Sequence, residues 1–227
     1  MKSLLKSITA VGLFAVGATA FVATPALAQT DQIKLVNAAE VTLSNFLRDP
    51  DMTWLQANIG RAKAVLIAPE IAKAGFIIGG SGGRGVLVAH EPPKGRWAGP
   101  AFYTLATASV GFQAGISVSE NITLVMTEKG FNSLLTNNVR VGADASVAAG
   151  PVGAGARSDV VADLITFSRS KGVFGGLNLD GTVIAPSNDW NNTYFGKTVT
   201  PPDILIRGTA HNKKADPLLA RITKATK

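Results

Sequence analysis

The chain has 227 residues, no cysteine and a formal net charge of +7, with 46% hydrophobic and 16% charged residues. The lack of cysteine excludes disulfides, thiolate catalysis, Cys metal sites and a lipidated N-terminal Cys. Lys2 and Lys6 hold +2 of the charge and residues 207–227 hold +5, so 29–206 balances to zero, which argues against a nucleic-acid-binding face spread over the fold.

At the N-terminus, Lys2 and Lys6 precede an apolar, small-residue run from Ile8 to Ala23. Ala26-Leu27-Ala28 then forms an A-x-A site before Gln29. This order predicts a secretory signal peptide over 1–28, cleaved between Ala28 and Gln29. The exported chain is expected in the periplasm or peripheral to the cell envelope.

Ile33, Val36, Ala39, Leu43, Phe46 and Leu47 recur at helical spacing and predict a helix over 31–47, capped by Thr30 or Asp31 and ended at Asp49-Pro50. A short helical turn is expected over 53–61, with Thr53 as its cap. From Ala62 the pattern changes to strands: 64–68 (AVLIA), 75–78 and 85–89 (GVLVA), with the Gly-rich 79–84 read as a turn or bulge and 91–96 as an exposed loop. Strands follow over 101–110, 112–118 and 122–126. Thr127 is placed to cap a helix over 128–135. Val139–Ala149 alternates, Gly150-Pro151 turns, and strands are expected over 160–168, 173–179 and 182–185, the last after an Asp180-Gly181 hairpin turn. A helix over 187–195, capped by Ser187, and a turn from Thr200 to Arg207 complete the domain. About ten closely spaced strands with helices at the start, middle and end predict an α+β fold. It is a single domain dominated by a curled antiparallel sheet, barrel- or sandwich-like, with N-terminal and peripheral helices. The domain is expected over 29–206, with a basic C-terminal tail over 207–227.

Three strings resemble enzyme motifs. Gly80-x-Gly82-x-x-Gly85 has the dinucleotide spacing, but a strand follows where a helix must receive the pyrophosphate. Gly79-Gly80-Ser81-Gly82-Gly83 has the nucleophile-elbow spacing without the strand–turn–helix that exposes the serine. Ser168-Arg169-Ser170-Lys171 lacks the companion motifs of the S-x-x-K enzymes. His90 and His211 have no clustered acids, so no metal or cofactor site is expected. In the tail, Leu218, Leu219 and Ile222 share a segment with Arg221, Lys224 and Lys227, a pattern compatible with an anionic lipid surface or with a frayed terminus.

The stretch from Lys73 to Gly115 (a Lys-Ala-Gly-Phe segment, a Gly-rich run into GVLVA, Trp97, then PAFY and SVGFQAG) resembles the SYLF-domain family. The resemblance continues through 122–126 (ITLVM), 145–151, 168–176 (SRSKGVFGG), Leu179-Asp180-Gly181 and Tyr194-Phe195-Gly196. It implies a lipid-binding module: eukaryotic members bind phosphoinositide membranes, some bind actin beside an SH3 domain, and exported bacterial members associate with lipid. This chain is expected to depart from the eukaryotic members in having no SH3 domain, and its first helix is nearly neutral. An exported protein is not expected to meet actin. The expected function is therefore non-enzymatic binding of a phospholipid membrane surface. An envelope protein–protein interaction module, or a hydrolase using Ser81 or a carboxylate pair, is the alternative. Candidate headgroup contacts are Lys34 and Arg48 on the first helix, Lys94, Arg96 and Trp97 around the 91–96 loop, and Arg221, Lys224 and Lys227 in the tail, since Trp beside basic residues suits a membrane interface.

Overall fold

Helix α1 spans Thr30–Arg48 in the computed structural model, which describes residues 29–75, 78–91, 95–110, 115–136, 138–153, 160–170, 173–175 and 181–226. Val36, Ala39, Leu43 and Phe46 are buried along one stripe, as the spacing predicts. No side chain caps its start. Its end follows the expected logic: Asp49, before Pro50, is extended with ψ 124°. Asp49 accepts from the Asp51 N–H and so caps a 3₁₀ turn, Pro50–Met52, that leads into α2 (Thr53–Asn58). Thr53 therefore sits inside a helical run and not at its cap.

Among the described residues nine strands form one sheet: β1 (Ala64–Gly75), β2 (Ile78–Glu91), β3 (Arg96–Val110), β4 (Gly115–Val125), β5 (Val139–Arg140), β6 (Val147–Ala149), β7 (Leu164–Ser170), β8 (Val173–Gly175) and β9 (Val183–Pro186). Helices α3 (Glu128–Thr136), α4 (Asn188–Phe195), α5 (Pro201–Leu205) and α6 (Asp216–Ala225) surround it. The order is β5-β9-β3-β2-β1-β4-β7-β6, with β8 on β7. All pairs are antiparallel except β6–β7. The expected curled, antiparallel-dominated α+β domain is observed, with that one parallel pair added.

The central strands are buried on both faces, which is why AVLIA and GVLVA read as continuous apolar runs. Val65, Ile67, Val86, Val88, Ile122 and Leu124 face α1, α2 and α6. Leu66, Leu87, Tyr103, Val125 and Leu164 face the second layer with Leu134, Val139, Ile184 and Leu205. Burial pushes the Tyr103 pKa up, and its hydroxyl donates to the Leu134 carbonyl at 2.7 Å. Where β9 ends, α4 covers the β3 edge: Asn191 Oδ1 accepts from the Phe102 N–H at 2.8 Å and the Ser187 N–H donates to the Phe102 carbonyl.

The Gly-rich 79–84 segment differs from expectation. It is the interior of β2, paired with β1 on one side and β3 on the other. The cause lies in β1, where the register shifts between Ile67 and Glu70, on either side of Pro69. Proline donates no ladder hydrogen bond and is accommodated there by a bulge. The bulge pushes β1 carbonyls toward β2. A Cβ on Gly83 would collide with the Glu70 oxygen, and one on Gly85 would lie 2.9 Å from the Ile67 oxygen. These glycines serve close backbone approach and not a turn.

Thr127 caps α3 as predicted, its hydroxyl accepting from the Gly130 N–H at 3.0 Å. The same hydroxyl donates to Asp163 Oδ1, while the Ser146 N–H and hydroxyl both donate to Oδ2 at 2.9 Å. With the Thr127 hydrogen bond as the main cause, the Asp163 carboxyl is held down to about 2. The alternating 139–149 segment is not one strand. Asp144 Oδ2 accepts from the Arg140 N–H and turns the chain between β5 and β6. Thr200 and Asp203 form a capping box that starts α5.

The segment read as a basic tail is part of the packed structure. Leu218 and Ile222 are fully buried in the cluster that includes Val36, Ala39 and Leu43. Helix α6 lies along α1, and Arg221 Nε donates to Glu40 Oε1 at 2.9 Å.

Candidate functional site

Docking of α6 creates the first candidate surface. Trp97 lies near the start of β3, only 4% exposed as a residue, its ring stacked on His90 at 5.0 Å between centroids. Its indole N–H donates to Thr226 Oγ1 at 3.3 Å, tying the end of α6 to the sheet. Trp97 is thus a core residue and not a membrane-facing ring: β3 turns this position toward the helices. Beside it, Arg96 Nε donates to Glu91 Oε2 at 2.6 Å. Arg96, Trp97, Asp216, Leu219, Thr223 and Lys224 line a groove of about 520 Å³. Lys224 has no ion-pair partner among the described residues.

The remaining candidates scatter. Arg221 is held by Glu40 and joins two helices. Arg48 is exposed in the last turn of α1, where a cation complements the helix dipole. Lys34 pairs with Asp31 at 3.2 Å, both exposed. Lys94 and Lys227 lie outside the described residues.

A second groove, of about 630 Å³, is lined by the N-terminal half of α1 and by residues within β1, β2 and β3. Its floor is made of small residues in cross-strand register, Ala72, Gly82 and Ala106. Arg84 holds its guanidinium 4.4 Å from the centre of the Trp190 ring. Glu70, its partner across the β1–β2 ladder, makes no ion pair among the described residues. Sequence reasoning missed Arg84, Glu70 and Trp190. Reading 79–84 as a turn removed the register that sets Glu70 opposite Arg84.

The three enzyme-like strings resolve into strands. Ser81 sits mid-strand opposite Lys73 and Thr107, not on an elbow. Ser168, Arg169 and Ser170 belong to β7, and Arg169 pairs with Glu120. Lys171 lies outside the described residues. Among the described residues, no three His, Asp or Glu side chains cluster as metal ligands, and no helix is long and apolar enough to cross a membrane.

Residues 106–225 match the family model described as Ysc84, Las17-binding protein actin regulator. The chain belongs to the Ysc84, or SYLF-domain, family. It is similar to SH3 domain-containing YSC84-like protein 1 of Homo sapiens, 28% identical over 184 residues, covering 79% of this chain and 52% of that protein. It is also similar to Protein YSC84 of Saccharomyces cerevisiae, 31% identical over 166 residues, covering 70% of this chain and 35% of the relative. LAS seventeen-binding protein 3 of the same species is 32% identical over 165 residues, covering 70% and 36%. The chain therefore spans about half, or less, of the length of the curated relatives it matches. The SYLF match runs from within β3 to the last residue of α6, so the segment with Arg221 and Lys224 lies inside the family domain. The family description is that of a binding protein.

Proposed function

We propose that this SYLF domain is a non-catalytic binding module that attaches to anionic phospholipid surfaces after export directed by residues 1–28. One observation supports it most: Arg96 and Lys224, distant in sequence, line one groove with the partly buried apolar Leu219 as a neighbour. Lys224, and Arg96 with the guanidinium N–H groups that its Glu91 pair leaves over, suit a phosphate group at the edge of the groove, with acyl chains beside Leu219. Each basic residue near an anionic bilayer contributes about 1 kcal/mol.

The test is co-sedimentation of the protein with vesicles of phosphatidylglycerol and phosphatidylcholine, and of phosphatidylcholine alone, over a salt series. Binding to the anionic vesicles should weaken with salt. Arg96→Ala and Lys224→Ala should each weaken it about fivefold. Binding to neither vesicle would refute the proposal. Sequencing of the exported protein should begin at Gln29.

The names of the relatives, which describe Las17-binding proteins, favour a second reading, a protein partner; for an exported chain that partner is an envelope protein. An envelope protein cross-linked at the Arg96–Lys224 groove, together with absent vesicle binding, would decide for it.

A further inference from the structure

The chain has two histidines, His90 and His211, far apart in sequence. The fold brings each of them against a residue that lines the Arg96–Lys224 groove. His90 stands on the same face of β2 as the buried Val86 and Val88, in register with Trp97, and its ring stacks on the Trp97 ring with 18° between the planes. His211 Nε2 lies 3.3 Å from Oδ1 of Asp216, the first residue of α6. Trp97 and Asp216 both line the groove.

The permanent charges at the groove cancel. Arg96 and Lys224 are two cations; Asp216 and Glu91, the partner of Arg96, are two carboxylates. The groups on the surrounding elements hold a constant charge. Lys63, whose carbonyl accepts from the His90 N–H, is paired with Glu128, Arg221 with Glu40 and Arg207 with Asp203. Lys197, Lys213 and Lys214 are exposed cations, and Tyr194 stays neutral because burial, and then the Asp216 charge, push its pKa up. Imidazole is the side chain whose ordinary titration falls between pH 5 and 8. With both histidines neutral the groove sums to zero, and with both protonated it carries two positive charges. We propose that His90 and His211 make this groove a pH-gated anion site, which takes an anionic headgroup when they are protonated and releases it as pH rises. The inference rests on the reading of the groove as a headgroup site. Protonated His211 neutralises Asp216, which otherwise repels a phosphate, and protonated His90 places a cation against the Trp97 ring. By linkage, an anion bound in the groove favours the protonated histidines, so binding takes up protons.

The experiment is co-sedimentation of the protein with phosphatidylglycerol vesicles from pH 8 to pH 5 at constant ionic strength. The lipid phosphodiester keeps its charge over this range, so a change in affinity reports the protein. Each protonated histidine should strengthen binding about fivefold, so the parent should gain roughly 20-fold from pH 8 to pH 5. His90→Gln and His211→Gln should each forfeit about fivefold of that gain, and the double variant should vary by less than about twofold. Asp216→Asn, which removes the repelling carboxylate without touching either histidine, should bind about fivefold tighter than the parent at pH 8. Calorimetry in buffers of different ionisation enthalpy should show proton uptake on binding, and melting temperatures in the same buffers separate gating from unfolding. Binding independent of pH, or a pH response undiminished in the double variant, would overturn the gate and leave the headgroup site standing. Absent binding at every pH would overturn both.

Discussion

Truncating Ile222 to alanine tests whether the C-terminal basic segment is core or tail. Ile222 is fully buried, on the same face of α6 as the fully buried Leu218. At about 0.8 kcal/mol per buried methylene, three lost carbons remove about 2.4 kcal/mol of transfer free energy. The cavity left against α1 adds to this, within the range of about 2–5 kcal/mol for such truncations. For a domain of this size, each kcal/mol lowers Tm by roughly 2–4 °C, so a drop of about 5–20 °C is expected. Thermal unfolding followed by circular dichroism measures it, with Lys224→Ala, on the exposed side of α6, as the control. The control should stay within about 0.5 kcal/mol of the parent. Amide exchange adds a second readout, since residues 218–224 should be protected to near the global unfolding free energy. If Ile222→Ala matched Lys224→Ala, or these amides exchanged as freely as a frayed end, the packing argument for α6 would fail.

Gly83→Ala should destabilise by about 1–3 kcal/mol or more, because the added carbon meets the backbone carbonyl of Glu70, which cannot rotate away. Gly181→Ala, at φ 76° with nothing near its Cβ, should lose only the smaller, conformational contribution. Urea unfolding of the two variants checks the order, and a reversed order would discount the bulge at Pro69. Asp163 has a depressed folded-state pKa, so its stabilisation is fully present above the unfolded value near 3.8 and is lost as pH falls toward about 2. The stability gap between parent and Asp163→Asn should therefore be widest above about pH 4 and close between pH 4 and 2. Denaturant melts across that range measure it, and a gap independent of pH would contradict the role of the carboxylate.

Local rules were enough for much of the architecture. The apolar period of α1, its stop at Asp49-Pro50, the Thr127 cap and the apolar runs AVLIA and GVLVA depend only on neighbours within a few residues, and the sequence displays them directly. The same holds for the short helix after Ser187, although the Ser187 hydroxyl bonds Thr104 instead of capping it. Of the candidate headgroup residues, Arg96, Trp97 and Lys224 do converge, but for a reason no spacing displays: α6 packs across 129 positions of chain to reach Trp97.

Sequence by itself determined the class of fold, the central strands, the first helix and the family. Those features are written in periodicity, in residues that start and stop elements, and in ordered short motifs. Only the tertiary structure decided that the glycines of 79–84 lie inside a strand, because what demands them is a carbonyl displaced by Pro69 on the neighbouring strand. Only it decided that Trp97 is buried, that the basic C-terminal segment is a core helix, and that Glu70 and Arg84 stand together but unpaired. Each of these depends on which distant segment comes to rest alongside, and a charge or an aromatic ring carries no mark of its partner until the chain has folded.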